Sequence, residues 1–290
     1  MLAGIELGGT KIVCLVGTGP DDIVDECRIP TRDPAATLAD VRAFLEPYTV
    51  AAIGMASFGP IERRVDHPGY GHITRTTKPG WSHTDVVGGI RGDRDVPVGF
   101  ETDVNGAALG EGRWGAAAGL RSYLYLTVGT GIGGGAISNG LIVGGLGHTE
   151  LGHVPVPRHP DDTLAGVCPF HGDCFEGVAS GPAHMARLGS RLEDATGAGQ
   201  ALALELATWY IAAALRGFVY SFAPERIVVG GGVASLPGLL PAVAARLVVE
   251  LAGYPGLPEH AEPGFVTAPT LGGRAGTLGA IVLAQRALDT

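Results

Sequence analysis

The residues with the clearest chemical content lie in one loop: Cys168-Pro169-Phe170-His171-Gly172-Asp173-Cys174, preceded by Glu150-Leu151-Gly152-His153. The Cys-x-x-His-x-x-Cys spacing puts three soft or borderline ligands on one turn-rich segment, and a tetrahedral zinc needs four. His153 is the best fourth ligand, with His159 and His148 as alternatives. Zinc is expected over a disulfide, because the histidine sits midway between the cysteines and the context reads as reducing. Four protein ligands would make such a site structural, with no open position for a reacting water. Beside it, the carboxylates of Glu150 and Glu176 could take the vicinal hydroxyls of a polyol or remain solvated loop charges. Asp103 ends a strand-like run and opens a helix. It is therefore either an N-cap or a general base that accepts a hydroxyl proton as the oxygen attacks a phosphate.

Two glycine-rich turns, Gly8-Gly9-Thr10-Lys11 and Gly129-Thr130-Gly131-Ile132-Gly133, each follow an apolar strand-like run about one domain apart. Such turns let backbone N–H groups approach an anion with no Cβ in the way. One would be weak evidence, but two suggest a duplicated fold that grips a polyphosphate from both sides. Neither has the P-loop or dinucleotide fingerprint spacing. Lys11 could add a cation or be a solvated turn residue. A third turn, Gly230-Gly231-Gly232, follows the buried run Ile227–Val229. It is either a pocket wall for a flat ring or a plain strand-to-helix connection.

These groups need elements to hold them. Strands are expected at 2–7, 12–16, 50–55, 96–100, 123–128, 135–137 and 226–230. Helices are expected at 35–45, 84–90, 104–114, 199–221, 238–251 and 276–288. Residues 59–81 and 144–182 read as long loops, of the kind that more often works than idles. The α and β segments alternate twice, each time after a glycine-turn hairpin, which is the plan of two α/β domains around a nucleotide cleft.

The chain has 290 residues, 46% hydrophobic, enough for two cores, and a net charge of −9. That balance leaves no electrostatic footprint for nucleic acid or an anionic membrane, so any bound phosphate must be held locally. Arginine outnumbers lysine 18 to 2. No signal peptide is visible, and the uncharged stretch 227–245 is interrupted by glycines and prolines. A cytoplasmic, soluble protein is the expectation. Cys14 and Cys27 read as small core residues.

Taken in order, Ile5-Glu6-Leu7-Gly8-Gly9-Thr10-Lys11, Ser57-Phe58-Gly59-Pro60, Lys78-Pro79-Gly80-Trp81, Glu101-Thr102-Asp103-Val104-Asn105-Gly106, Thr127-Val128-Gly129-Thr130-Gly131, the histidine and cysteine segments, and Ser180-Gly181-Pro182 closely resemble the ROK family of sugar kinases and regulators. The likeness is to its zinc-containing bacterial fructokinase branch and covers essentially the whole chain. It implies an α/β, actin-like (ribonuclease H-like) ATPase fold, with two α/β domains around a central nucleotide and sugar cleft. The domains are expected at 1–105 plus 276–290 and at 106–275, the latter carrying the zinc loop (about 148–182). It implies ATP-dependent phosphorylation of D-fructose to fructose 6-phosphate, with Asp103 as general base and Mg²⁺ as cofactor. ATP would be held by Gly8, Gly9, Thr10, Lys11, Gly129, Thr130, Gly131 and Gly133, with Gly231 at the adenosine. Gly59, Asn105, Glu150, His153 and Glu176 would surround the hexose. His153, Cys168, His171 and Cys174 would bind structural Zn²⁺. A homodimer is the expected assembly.

Two departures from the wider family stand out. Glu6 replaces a common Asp, which bears on how Mg²⁺ is held. Thr102 replaces the Asn that glucose-type members carry before the catalytic Asp, which argues against strict glucose specificity. The family also contains DNA-binding regulators, but here the nucleotide motif begins at residue 5 and no basic segment appears. Kinases for mannose, glucose or an N-acylhexosamine are the nearer alternative.

Overall fold

The computed structural model describes every residue from Met1 to Thr290. The chain divides into two units: Met1–Gly119 with Ile142–His148 and Thr270–Thr290, and Leu120–Leu141 with Thr149–Pro269.

In the first unit the glycine turn joins β1 (Leu2–Leu7) to β2 (Lys11–Gly19), and β3 (Asp22–Pro30) follows as an antiparallel edge strand. Two parallel strands, β4 (Ala52–Ser57) and β5 (Val98–Thr102), complete the sheet in the order β3-β2-β1-β4-β5. The period of two along β1 sorts its side chains between faces. Ala3, Ile5 and Leu7 share a core with α1 (Pro34–Leu45) and α2 (Val86–Arg91). Leu2 and Glu6 face α8 (Ala275–Leu288) instead. Both early helices are capped by the aspartate before them: Asp33 accepts from the Ala36 amide and Asp85 from Gly88.

The second unit repeats the plan. Strand β6 (Tyr123–Val128) turns through the second glycine loop into antiparallel β7 (Ile132–Ser138), and β8 (Leu141–Ile142) follows. Parallel strands β9 (Arg226–Gly230) and β10 (Val266–Thr267) give the order β10-β9-β6-β7-β8, the same pattern as the first sheet. Its helices are α4 (Phe175–Ala179), α5 (Gly181–Leu188), α6 (Gly197–Phe222) and α7 (Leu239–Leu251).

Several expectations shift. The 144–182 segment is not loop throughout, since α4 and the start of α5 lie inside it. Strands β3, β8 and β10 were not anticipated. The first unit runs to Gly119 and resumes at Thr270, rather than breaking at 105 and 276. The reason is α3 (Asp103–Trp114), which lies tightly on α8: a methyl at Gly279 would overlap the Gly106 carbonyl oxygen. Residues 227–245 resolve into β9, a turn and the start of α7. One helix, α6, is long and apolar enough to cross a membrane, and Leu206, Tyr210, Ile211, Leu215 and Phe218 of it are buried in the second unit.

Candidate active site and metal centre

The carboxyl ends of parallel strands are where open α/β sheets place their ligands. In the first unit β1, β4 and β5 stop in register, with Leu7 opposite Ser57 and Ser57 opposite Thr102. Beyond those ends stand the first glycine turn, Gly59 and Asp103. The turn is closed by the Gly8 amide donating to Lys11 O (3.0 Å) and is braced from β3, where the Thr31 hydroxyl donates to Gly8 O (2.8 Å). Gly9, Thr10 and Lys11 are exposed.

Asp103 is not the N-cap of α3. Thr102 caps it, its hydroxyl oxygen accepting from the Asn105 amide (3.2 Å). Asp103 is thereby the first residue of the helix, half-exposed, with Oδ1 accepting from the Val104 amide (2.9 Å). Asn105 is wholly buried. Its Nδ2 donates to Glu101 Oε2 (2.9 Å), and the other oxygen of Glu101 is paired with Arg63. The reverse amide orientation would face two oxygens together, so the network fixes which way Asn105 points. Its Oδ1 has no hydrogen-bond partner. Asn105 thus sits behind Asp103 as an interior residue. Gly59 lies next to His148, whose Nε2 accepts from the Ile61 amide (3.2 Å).

Glu6 lies under the first turn, on the α8 face. Thr277 Oγ1 donates to its Oε2 (2.9 Å). Burial pushes its carboxyl above the ordinary 4.5, against the lowering effect of Thr277 and of Lys11. A cation nearby would favour the ionised form.

In the second unit, the turn after β6 and the turn after β9 are brought together. Thr127 pairs with Gly230, and the Val233 amide donates to Val128 O (2.9 Å). Gly231 has φ +97°, and a Cβ there would strike the Val128 backbone. The position therefore requires glycine on both counts.

The metal candidates converge as well. One ligand atom from each of His153, Cys168, His171 and Cys174 lies within 4.8 Å of every other. His153 Nδ1 is 3.8 Å from Cys168 Sγ and 3.5 Å from Cys174 Sγ, and His171 Nδ1 is 3.8 Å from Cys168 Sγ. Ligand atoms about 3.3–3.8 Å apart are what tetrahedral zinc needs, given bonds of about 2.0–2.3 Å, so the residues fit that ion. Burial raises the Cys174 thiol above its ordinary pKa and Cys168 raises it further, partly offset by backbone donors. A bound cation would reverse that preference. The alternatives are engaged elsewhere: His148 as above, and His159 against Glu205 and the Trp209 ring.

This centre also sits against the second glycine turn. Glu176, two residues past Cys174, accepts from the Ile132 amide through Oε2 (2.8 Å). Gly152, beside His153, is packed on Ile132 O, and the Gly181 amide donates to Gly129 O (2.7 Å). Glu150 is exposed, and its carbonyl accepts from the His153 amide (3.0 Å). The far end of the loop is pinned at Asp162, which accepts from Arg187 Nη2 (2.6 Å) and Tyr210 Oη (2.5 Å). Burial opposes that carboxylate, but its hydrogen bonds prevail and lower its pKa to about 2. The bracing by Glu176 links positions 44 apart and leaves no local trace in the sequence. Glu111 was also missed. It is fully buried in α3 and accepts from the amides of Ala116, Thr270 and Leu271.

Residues 2–287 match the ROK family as a whole. The chain belongs to the ROK family. Among ROK relatives, the fructokinase of Zymomonas mobilis is 41% identical over 294 residues, covering 98% of this chain and 96% of its own. The fructokinase of Pediococcus pentosaceus is 38% identical over 293 residues, covering 99% of both. The solved ROK hexokinase of Thermus thermophilus superposes with a TM-score of 0.80 at 29% identity, over 99% of each chain. The fold is that of the actin-like ATPases, as the resemblance implies.

Proposed function

We infer that this ROK protein is an ATP-dependent fructokinase, transferring the terminal phosphoryl group of ATP to the primary hydroxyl of D-fructose. The observation that carries the reading is its similarity to fructokinases over nearly the full chain. In the proposed mechanism Asp103 accepts the hydroxyl proton, the sugar oxygen forms its bond to the terminal phosphorus, and ADP departs with the electrons of the broken P–O bond. The half-exposed position of Asp103 supports this, because Thr102 already does the capping. Backbone donors at the glycine turns, including Thr10 and Thr130, offset the developing charge, and Gly231 leaves room for the adenosine. Mg²⁺ would supply further positive charge when bound, and Glu6, half-buried near the end of β1 just before the first turn, is the carboxylate that would help to hold it.

Gly59, Asn105, Glu150, His153 and Glu176 are the proposed sugar-side residues, with one Glu176 oxygen already engaged by the Ile132 amide. His153, Cys168, His171 and Cys174 would hold a structural zinc that fixes the loop carrying them. Thr102 supports fructose over glucose, since its hydroxyl oxygen is engaged at the helix cap. The reading includes a cytoplasmic homodimer without nucleic-acid partners. Tyr220 on α6 and Val248 and Val249 on α7 are exposed apolar candidates for the dimer contact.

The test is ADP release by the metal-loaded protein with Mg-ATP and fructose, mannose, glucose or N-acetylmannosamine. A tenfold or greater lead in kcat/KM for fructose is expected, about 1.4 kcal/mol of transition-state preference. A different leading sugar would refute the fructose assignment. No turnover with any hexose would refute the kinase.

A further inference from the structure

The chain has 18 arginines and only 2 lysines, and both lysines stand at the first glycine turn. Lys11 opens β2 directly after it. Lys78 comes from a distant loop, yet its Nζ donates to Gly9 O at 2.5 Å. Several arginines of this protein pair with carboxylates, as Arg63 does with Glu101 and Arg187 with Asp162. The Lys78 ammonium instead rests on a carbonyl oxygen in an exposed setting, with no carboxylate paired to it.

The loop that delivers Lys78 is firmly held. Trp81 is fully buried, its Nε1 donates to Arg32 O (2.9 Å), and its ring meets Phe58 edge-on. The Trp81 amide returns to Lys78 O (3.3 Å), and the Lys78 amide donates to Thr76 Oγ1 (3.3 Å). The backbone at position 78 is thus fixed, while the side chain ends on a weak neutral acceptor. An ammonium prefers an anionic oxygen to a carbonyl, because charge-assisted bonds are about twice as strong. A compact, rotatable point charge also suits a phosphoryl group whose oxygens shift during transfer better than a planar guanidinium does.

We propose that Lys78 is a catalytic residue: its ammonium leaves Gly9 O for the terminal phosphate of ATP held at this turn, and offsets the charge on the phosphoryl group in transfer. The inference rests on the fructokinase reading and adds to it a side-chain cation at the first turn. Lys78 changes no bonds itself. The new P–O bond, the broken P–O bond to ADP and the proton accepted by Asp103 are as given above.

The experiment compares wild type, Lys78→Met and Lys78→Arg as metal-loaded full chains. Three quantities are read: kcat with fructose, dissociation constants for ADP and for a non-hydrolysable ATP analogue by calorimetry without sugar, and Tm. In Lys78→Met, kcat should fall about 10²–10³-fold, the usual cost of losing one such donor. Analogue affinity should weaken while ADP affinity stays within about twofold and Tm is unchanged. Lys78→Arg keeps the charge but not its shape, so it should regain analogue affinity more than kcat. The proposal is overturned if kcat in Lys78→Met stays within about threefold of wild type. It is also overturned if ADP and analogue weaken equally as Tm drops, which would mark the lysine as a latch for the loop. Should wild type bind the analogue yet phosphorylate no hexose, the fructokinase reading falls and this catalytic role falls with it. An unequal effect on ADP and analogue would then leave Lys78 a phosphate ligand only.

Discussion

Acidification should weaken the second unit through one histidine, and the size of the effect follows from where that histidine sits. His184 on α5 is 1% exposed, and neither ring nitrogen has a hydrogen-bond partner. Burial lowers its pKa from 6.5 to about 4, helped by the positive charge of Arg187 and opposed by Asp162. Above pH 6.5 the ring is neutral in both folded and unfolded chains, so it adds no pH dependence. Below 6.5 the unfolded chain takes up a proton that the folded chain refuses, and stability falls until the folded value near 4 is reached. The full gap of about 2.5 units is worth about 3.4 kcal/mol, of which about 2 kcal/mol is lost by pH 5. For a unit of this size that is a Tm decrease of roughly 4–8 °C. Thermal unfolding of wild type and His184→Met, from pH 7.5 to 5 at constant ionic strength, measures it. Other pH-dependent contributions are common to both proteins, so the readout is the difference between the two curves. Methionine has no titrating group, and its curve should be flatter by about 2 kcal/mol at pH 5. Parallel curves would refute the reasoning, because a neutral buried histidine cannot then be the source of the slope. Since α5 starts at Gly181, whose amide holds Gly129, any loosening here should also raise KM for ATP at acid pH.

Asp103→Asn should lower kcat roughly 10²–10⁴-fold, with Tm nearly unchanged because Thr102 keeps the cap; near-normal kcat would remove Asp103 as the base. Stripping the metal with a chelator should release one zinc per chain, measured by elemental analysis. It should also lower the Tm of the second unit and weaken ATP-analogue binding, since Cys174 and His153 adjoin the residues that brace Ile132. Unchanged Tm after complete metal loss would show that the four ligands do not hold the fold.

How much of this was legible in the sequence varied with the range of the interaction. Strands β1, β4, β6 and β9 announced themselves as short apolar runs ending in glycine turns or polar residues. Strand β3 did not, because Asp22–Pro30 is an edge strand whose apolar residues are interrupted by Asp25, Glu26 and Arg28. Strand β10 is two residues long and exists only through its pairing with β9. The metal ligands were readable because three of them share one spacing pattern. His153 was the best of several histidines, and the structure brings it to the other three. The cap of α3 was ambiguous, since Thr102 and Asp103 are both good capping residues and only the pairing of β5 with β4 decides where the strand ends. Asn105 read as a sugar contact by analogy alone. Its burial against Glu101 depends on Arg63, 38 positions before that glutamate, and no local pattern reports such a contact.

The duplicated backbone plan carries two turns that differ in charge. The first is flanked by Lys11 and Lys78, the only lysines of the chain, and Lys78 is bonded to its carbonyl at Gly9. The second is braced by a carboxylate, Glu176, which occupies the Ile132 amide and adds negative charge beside Gly131. A polyphosphate is most negative at its terminal group, and negative charge is stabilised next to cations and opposed next to carboxylates. The fold alone would make the turns equivalent, so the distinction comes from side chains outside both. On the proposed reading, that difference in charge favours the first turn as the place of the terminal phosphate. On the same reading a zinc would fix the loop that carries Glu176 at the second turn, while Lys78 at the first turn is the cation offered to the phosphoryl group.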